Sequence, residues 1–296
     1  EVLPQVHMEH FVLNADHHGK LQTAVDMAGD AKGHEIIVSV RSLKDGKTVY
    51  TSNGQTTITH SISNSDKEQM ISGEWASIIP WSTENPNLYV AKLELKNPEG
   101  KIVQTRETRI GFRTVEFFPQ DGVYLNGTKL VVKGINRHSF SVDGGRTTSA
   151  ALSRMDALLI KEMNMNAVRS HYPPDEHFLD ACDSLGLLYI DELAGWQDAY
   201  DTPTGTRLVR EMLTRDVNHP CIVLWSNGNE GGWNTAVDSL FRTYDPQKRH
   251  VIHPWADFDE LDTHHYPAYL TGVARFTNGY KVFMPAEFMH GQYDQG

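Results

Sequence analysis

The sequence predicts two successive domains: an immunoglobulin-like β-sandwich over residues 1–113, then an α/β TIM-type (β/α)8 barrel over residues 114–296 that is cut short after its seventh strand. Three observations carry this. The first part alternates short apolar runs with turn residues at strand spacing and has no helical period. From Thr114 onward, strand-like runs alternate with helix-like ones. Each strand of that second part ends in polar or aromatic residues, as expected where an active face forms at strand C-termini.

In the first domain Ile36, Val38 and Val40 alternate, Asp45-Gly46 is a hairpin turn, and Tyr89, Ala91, Leu93 and Leu95 share one face before the turn Asn97-Pro98-Glu99-Gly100. Its histidines, His17-His18 among them, are expected in solvent. In the second domain a hairpin lead-in, Gly122 to Thr128, precedes a first strand ending at Asn136-Arg137-His138. Ser149 caps a helix in which Leu152, Met155, Leu159 and Met163 recur at helical spacing. Asn166 to Pro173 is the second strand, followed by a helix bearing Phe178, Cys182 and Leu185 and stopped by Gly186. Leu187 to Glu192 is the third, with a loop to Gly205 and a helix from about Arg207. The apolar run from Cys221 to Asn229-Glu230 is the fourth, a fully buried strand whose end emerges into a site. Ala236, Leu240 and Tyr244 mark the next helix, His250 to Trp255 and Asp262 to Tyr266 two further strands, and Val282 to Glu287 the seventh. A doubly wound sheet would usually show a Gly-rich phosphate loop after an early strand, and none is visible. An eighth strand and helix are expected after Glu287 yet the chain ends at Gly296, so a piece of a larger protein is anticipated. Glu1 in place of Met points the same way, to a leader or upstream domain removed.

The 296 residues carry a net charge of -11, which disfavours nucleic acid and anionic membranes as partners. No run reaches the length of a membrane span, and no signal-peptide pattern is read in these residues. A soluble bacterial protein, periplasmic or cytoplasmic, is expected. Cys182 and Cys221 read as small apolar core residues, and Asn126-Gly127-Thr128 matches a glycosylation acceptor within a turn.

The strand ends collect Asn136, Arg137, His138, Arg169, His171, Tyr172, Asp191, Glu192, Asn229, Glu230, Trp255, His264, His265, Tyr266, Glu287 and His290. Two carboxylates among His, Asn and aromatic groups suit a neutral polyhydroxylated ligand, since hydroxyls take hydrogen bonds and the pyranose face stacks on rings. The fourth and seventh strands face each other across a barrel mouth, so Glu230 and Glu287 can flank one bond. At about 5–5.5 Å separation they would form a retaining pair, with Glu287 as nucleophile and Glu230 as acid/base. Asn229, His171, His138, Arg169, His265, Tyr266, Trp255 and Glu192 are the expected substrate contacts, with Arg169 also holding the nucleophile ionised. Trp225 is expected in the core, and Trp196 either packs or stacks. The spacings of His138, His171, His264 and His265 fit no compact ligand motif, and no metal or other cofactor is expected.

These residues resemble glycoside hydrolase family 2, which contains β-galactosidases, β-glucuronidases and β-mannosidases. The matching pieces are Trp81 to Tyr89, Gly111-Phe112-Arg113, Gly134 to His138, Asn166 to Pro173, Asn218-His219-Pro220 through Asn229-Glu230, and Ala286-Glu287-Phe288. The resemblance implies Glu230 as acid/base and Glu287 as nucleophile of a β-galactosidase-like enzyme, with β-glucuronidase or β-mannosidase activity as the alternative. An inactive carbohydrate-binding fragment is the alternative of another class. Some relatives hold magnesium through a glutamate and a histidine just after the third strand; Trp196 and Asp198 stand at about those positions, so that site is expected to be absent. Family members also begin with a jelly-roll domain and close with an eighth strand, neither of which is in this chain.

Overall fold

A computed structural model describes residues 3–52, 70–71, 78–279 and 281–289. The first domain has seven strands: β1 (His7–Ala15), β2 (Leu21–Ala28), β3 (Glu35–Ser42), β4 (Thr48–Thr51), β5 (Met70–Ile71), β6 (Tyr89–Lys96) and β7 (Ile102–Ile110). They form two antiparallel sheets ordered β1-β2-β5 and β4-β3-β6-β7. Alternation predicts this because Ile36, Val38, Val40, Ala91, Leu93 and Leu95 all point into one core. Of its described histidines, His18 is exposed as expected and the others are less solvated; His60 lies outside the described residues. His10, His17 and His34 are half-buried, and burial pushes His10 down to about 4.

A hairpin sheet of β8 (Val115–Phe118), β9 (Gly122–Leu125) and β10 (Thr128–Leu130) joins the domains. Its Asn126-Gly127 turn is left-handed at both residues, with φ of 54° and 75°. The Asn126 side chain accepts from Thr114 N and donates to Trp81 O, so the triplet has a structural use in the turn.

The second domain begins with a parallel sheet in chain order, β11 (Gly134–Asn136), β12 (Ala167–Arg169), β13 (Leu188–Trp196), β14 (Ile222–Asn229) and β15 (Val251–Ile252). The series continues in β17 (Leu261–Asp262) parallel to β18 (Val282–Phe283), with β16 (Asp257–Phe258) an antiparallel partner of β17. Helices α1 (Ala150–Glu162), α2 (Glu176–Leu185), α3 (Thr202–Asp216), α4 (Asp238–Tyr244) and α5 (Tyr269–Asn278) alternate with these strands.

Two expectations are corrected here. Ser149 does cap α1, accepting from Leu152 N, but the helix buries Ser153, Ala157 and Ile160. Met155, Leu159 and Met163 lie about half exposed, because the small residues allow the closer approach. Helix α3 begins before Gly205: Asp201 accepts from Thr204 N and Pro203 sits in the first turn, a start signal overlooked behind the glycine. Cys182 and Cys221 are buried and free, and Trp225 is fully buried.

One core spans both domains, since Val12, Trp81 and Leu88 pack with the barrel residues. Trp81 Nε1 donates to Asp183 O, and Arg113 donates to Pro220 O and Ile222 O at 2.6 Å each. Asp183 in turn accepts from Cys221 N and pairs with His219 Nδ1 at 2.6 Å. These contacts seat the N-terminal end of β14.

Candidate active site

Every residue of β14 is buried, so its chain leaves the core only at its C-terminal end. There Gly228 (φ 81°), Glu230 (φ 46°) and Gly231 (φ 96°) turn sharply. A Cβ on Gly228 would meet Gly232 O at 2.4 Å, so only glycine permits the turn that presents Glu230. Trp255, Tyr266 and Gln197 also adopt φ between 46° and 87°. Strained backbone of this kind costs about 1–3 kcal/mol per residue and gathers at functional sites.

Glu287 follows β18 and is buried. Arg169, at the end of β12, donates through Nη1 to Glu287 Oε1 at 2.9 Å, and His171 Nε2 lies 2.8 Å from the same oxygen. The Tyr266 hydroxyl donates to Oε2. Burial alone would raise this carboxyl. The bonds from His171, Tyr266 and Arg169, with the guanidinium charge, outweigh it and hold Glu287 well below the usual carboxylate range. Tyr266 is pushed up to about 12 by burial and by its bond to Glu287, and so stays a donor.

One oxygen of Glu230 and one of Glu287 lie within 4.8 Å of each other, with His265 Nδ1 within the same reach. His265 Nδ1 is 3.2 Å from Glu230 Oε1. Burial lowers His265 below the ordinary histidine range, against the opposing pull of both glutamates. Its Nε2 and the Nδ1 of His171 are buried without a protein partner, which leaves two ring nitrogens for a ligand. Trp255, 49% exposed, stacks over His265 with ring centroids 6.2 Å apart. His138 is exposed, stacks on His171 at 4.9 Å and reaches Tyr172 Oη at 3.3 Å. Asn229 is buried, its Oδ1 accepting from Arg169 Nη2 at 2.8 Å.

Two of the expected substrate contacts do other work. Glu192 is fully buried, and its Oε2 accepts from Arg169 Nε and Ser226 Oγ at 2.8 Å each. Arg169 has Nε, Nη1 and Nη2 engaged by Glu192, Glu287 and Asn229. Glu192 therefore orients Arg169, and Arg169 orients Glu287 and Asn229, while Glu192 Oε1 is buried without a protein partner. His264 is half-buried, and His290 lies outside the described residues. Trp196 belongs to the site as well: its Nε1 donates to Glu230 Oε2 at 2.9 Å. Its place beyond the third strand was the available signal.

The residues present fit a cation poorly. An indole N–H only donates, and here it occupies Glu230 Oε2, while Oε1 faces His265. Both Glu287 oxygens already accept from neighbours beside the Arg169 charge.

Comparison with known proteins agrees with this layout. Residues 6–113 match the family model "Glycosyl hydrolases family 2", and residues 119–262 match its TIM barrel domain. The chain belongs to glycosyl hydrolase family 2. Among relatives, it is similar to beta-galactosidase BgaC of Bifidobacterium adolescentis, 29% identical over 97% of this chain and 31% of that protein. It is likewise similar to a beta-galactosidase of Thermoanaerobacterium thermosulfurigenes, 41% identical over 49% of this chain and 20% of that one. The fold matches the crystal structure of Parabacteroides merdae beta-glucuronidase with a TM-score of 0.78 at 22% identity, covering 97% of this chain and 40% of that one. The chain thus spans about a third or less of these curated relatives' length. Among the described residues, no helix of this family 2 chain is long and apolar enough to cross a membrane.

Proposed function

We propose that this site performs retaining hydrolysis of a terminal β-linked sugar, with β-D-galactosides as the first substrate class. The observation that carries the reading is the short gap between Glu230 and Glu287, with one oxygen of each within 4.8 Å. Retaining pairs stand about 5–5.5 Å apart, whereas an inverting pair needs roughly 6.5–9.5 Å to hold a water. Glu287, kept ionised by Arg169, His171 and Tyr266, attacks the anomeric carbon. The glycosidic C–O bond breaks as Glu230 gives its proton to the leaving oxygen. Glu230 then takes a proton from water, which attacks the same carbon and frees Glu287. Asn229, with Oδ1 fixed by Arg169, is oriented to donate Nδ2–H to a sugar hydroxyl.

A neutral sugar is favoured because Arg169, the buried cation at the centre, has its fork engaged by protein. The β-glucuronide alternative draws on Arg146, whose guanidinium lies 4.8 Å over the Tyr172 ring and could meet a uronate carboxylate. The name of the Parabacteroides merdae enzyme keeps that alternative in view.

The test is covalent trapping. The complete gene product containing this sequence is incubated with a 2-deoxy-2-fluoro-β-galactosyl fluoride and its peptides are mapped by mass spectrometry. One fluorosugar on the Glu287 peptide, and none in Glu287→Gln, is expected. No label, together with no turnover of any β-glycoside in a panel, would overturn the proposal. Preferential turnover of a glucuronide would transfer it to the alternative.

A further inference from the structure

We infer that Trp196 forms the leaving-group subsite, a stacking platform for an aglycone that is itself a sugar or an aromatic ring, and that the same indole orients Glu230 toward the bond being broken. The inference rests on the glycosidase reading above.

The two oxygens of Glu230 face different neighbours. Oε1 faces His265, which also lies 4.0 Å from Glu287 Oε2, so this is the side of the sugar that is retained. Oε2 faces outward to Trp196 Nε1. The acid protonates the leaving oxygen, so the group beyond its outer oxygen lies along the path of the departing aglycone. Trp196 is 65% exposed there. Its polar edge is satisfied by Glu230, which leaves apolar ring surface open to the mouth. An indole with one bonded edge and open faces suits the C–H face of a pyranose or an aryl ring.

The platform is rigid. Trp196 pairs with Asn229 across β13 and β14, Gln197 N donates to Asn229 O at 3.2 Å, and Asp198 N donates to Trp196 O at 2.7 Å. A Cβ on Gly232 would meet Gly195 C and Trp196 N at 2.5 Å, so the two loops touch backbone to backbone. Ring and carboxylate are therefore held to each other by main chain as well as by the indole bond.

The test compares two substrates sharing one glycone in the complete gene product: a disaccharide, with a sugar aglycone needing acid assistance, and the glycosyl fluoride, with neither an aglycone nor need of a proton. In Trp196→Phe and Trp196→Ala, the ratio of kcat/KM on the disaccharide to that on the fluoride should fall roughly 10- to 100-fold, further in the alanine variant. A ratio within about 3-fold of wild type in both variants would overturn the proposal. If the variants do not fold, the wild type alone decides: a methyl glycoside should show a KM at least 10-fold above that of the disaccharide, and equal KM values would overturn the platform. Wild-type turnover of none of these substrates would instead sink the glycosidase reading on which the proposal stands.

Discussion

Replacing Arg169 with Met removes the one cation shared by two buried carboxylates. The side chains of Arg169, Glu192 and Glu287 are 4%, 0% and 7% exposed. After the substitution Glu192 keeps Ser226 Oγ on one oxygen while its Oε1, already without a partner, stays so. Stripping one member from a buried pair costs about 3–5 kcal/mol, mainly because the stranded charge stays dehydrated. At about 2–4 °C per kcal/mol for a chain of this size, thermal unfolding should fall by about 6–20 °C. The double variant Arg169→Met/Glu192→Met removes the stranded charge too and should regain about 1–4 kcal/mol of that loss. The loss should also depend on pH. Burial already raises Glu192 in the folded protein, against the pull of Arg169. Without Arg169 it rises further above its unfolded value of about 4.3. The folded state then binds the extra proton, so the variant's deficit is small near pH 4–5 and grows as pH increases toward the folded pKa. Calorimetry of the three proteins at pH 5 and pH 8 checks this. A deficit equal at both pH values, or a double variant no more stable than Arg169→Met, would refute the reasoning.

Gly111→Ala would set a Cβ 2.8 Å from Trp81 Cβ and 2.9 Å from Pro220 Cβ; overpacking of about 1–3 kcal/mol is expected, read as a lower midpoint in urea. Tyr266→Phe removes a hydroxyl bond to an ionised carboxylate, so kcat/KM should fall roughly 10- to 100-fold and the unfolding midpoint in urea should also drop, for a loss of up to about 1.5–3 kcal/mol. Glu287 is held low in the folded state, so its ionised form contributes stability above about pH 4.3 and loses it as pH falls. The difference in unfolding free energy between wild type and Glu287→Gln should be flat above about pH 5.5 and narrow below about pH 4, as followed by urea titration.

Periodicity was enough to find most of the strands and helices α1 to α4, though not α5, because each of those has a sharp local signature. Alternation at Ile36, Val38 and Val40 and the uninterrupted run of β14 need no tertiary context. What it could not assign was the face a helix buries, as α1 demonstrates. Hydrophobicity marks Met155, Leu159 and Met163, whereas the closest packing uses Ser153 and Ala157, and side-chain size decides that only once a neighbour is present. That Glu230 and Glu287 would lie close together was readable from their places at strand ends. The division of labour behind them was not: Glu192 and Arg169 look like substrate contacts in a list of polar strand ends, and become supports only when their hydrogen bonds are seen to close on one another. The bond from Trp196 to Glu230 joins the ends of two different strands, which no local pattern records.

The family's sandwich motifs acquire a physical meaning from where β14 begins. Trp81 and Arg113 bond to Asp183, Pro220 and Ile222, and Asp183 holds His219 and Cys221. The strand is thus fixed by the first domain at its start and delivers Glu230 at its end, eight buried residues later. At about 3.3 Å per residue, that is a rigid span of roughly 26 Å. Buried on both faces, it cannot slide by a residue without exchanging which side chains meet which neighbours. For the proposed chemistry, Glu230 with one oxygen within 4.8 Å of Glu287 tolerates little displacement. Gly111, Trp81 and Pro220, at the opposite end of β14, therefore bear on the same geometry that Gly228 and Gly232 set at the mouth.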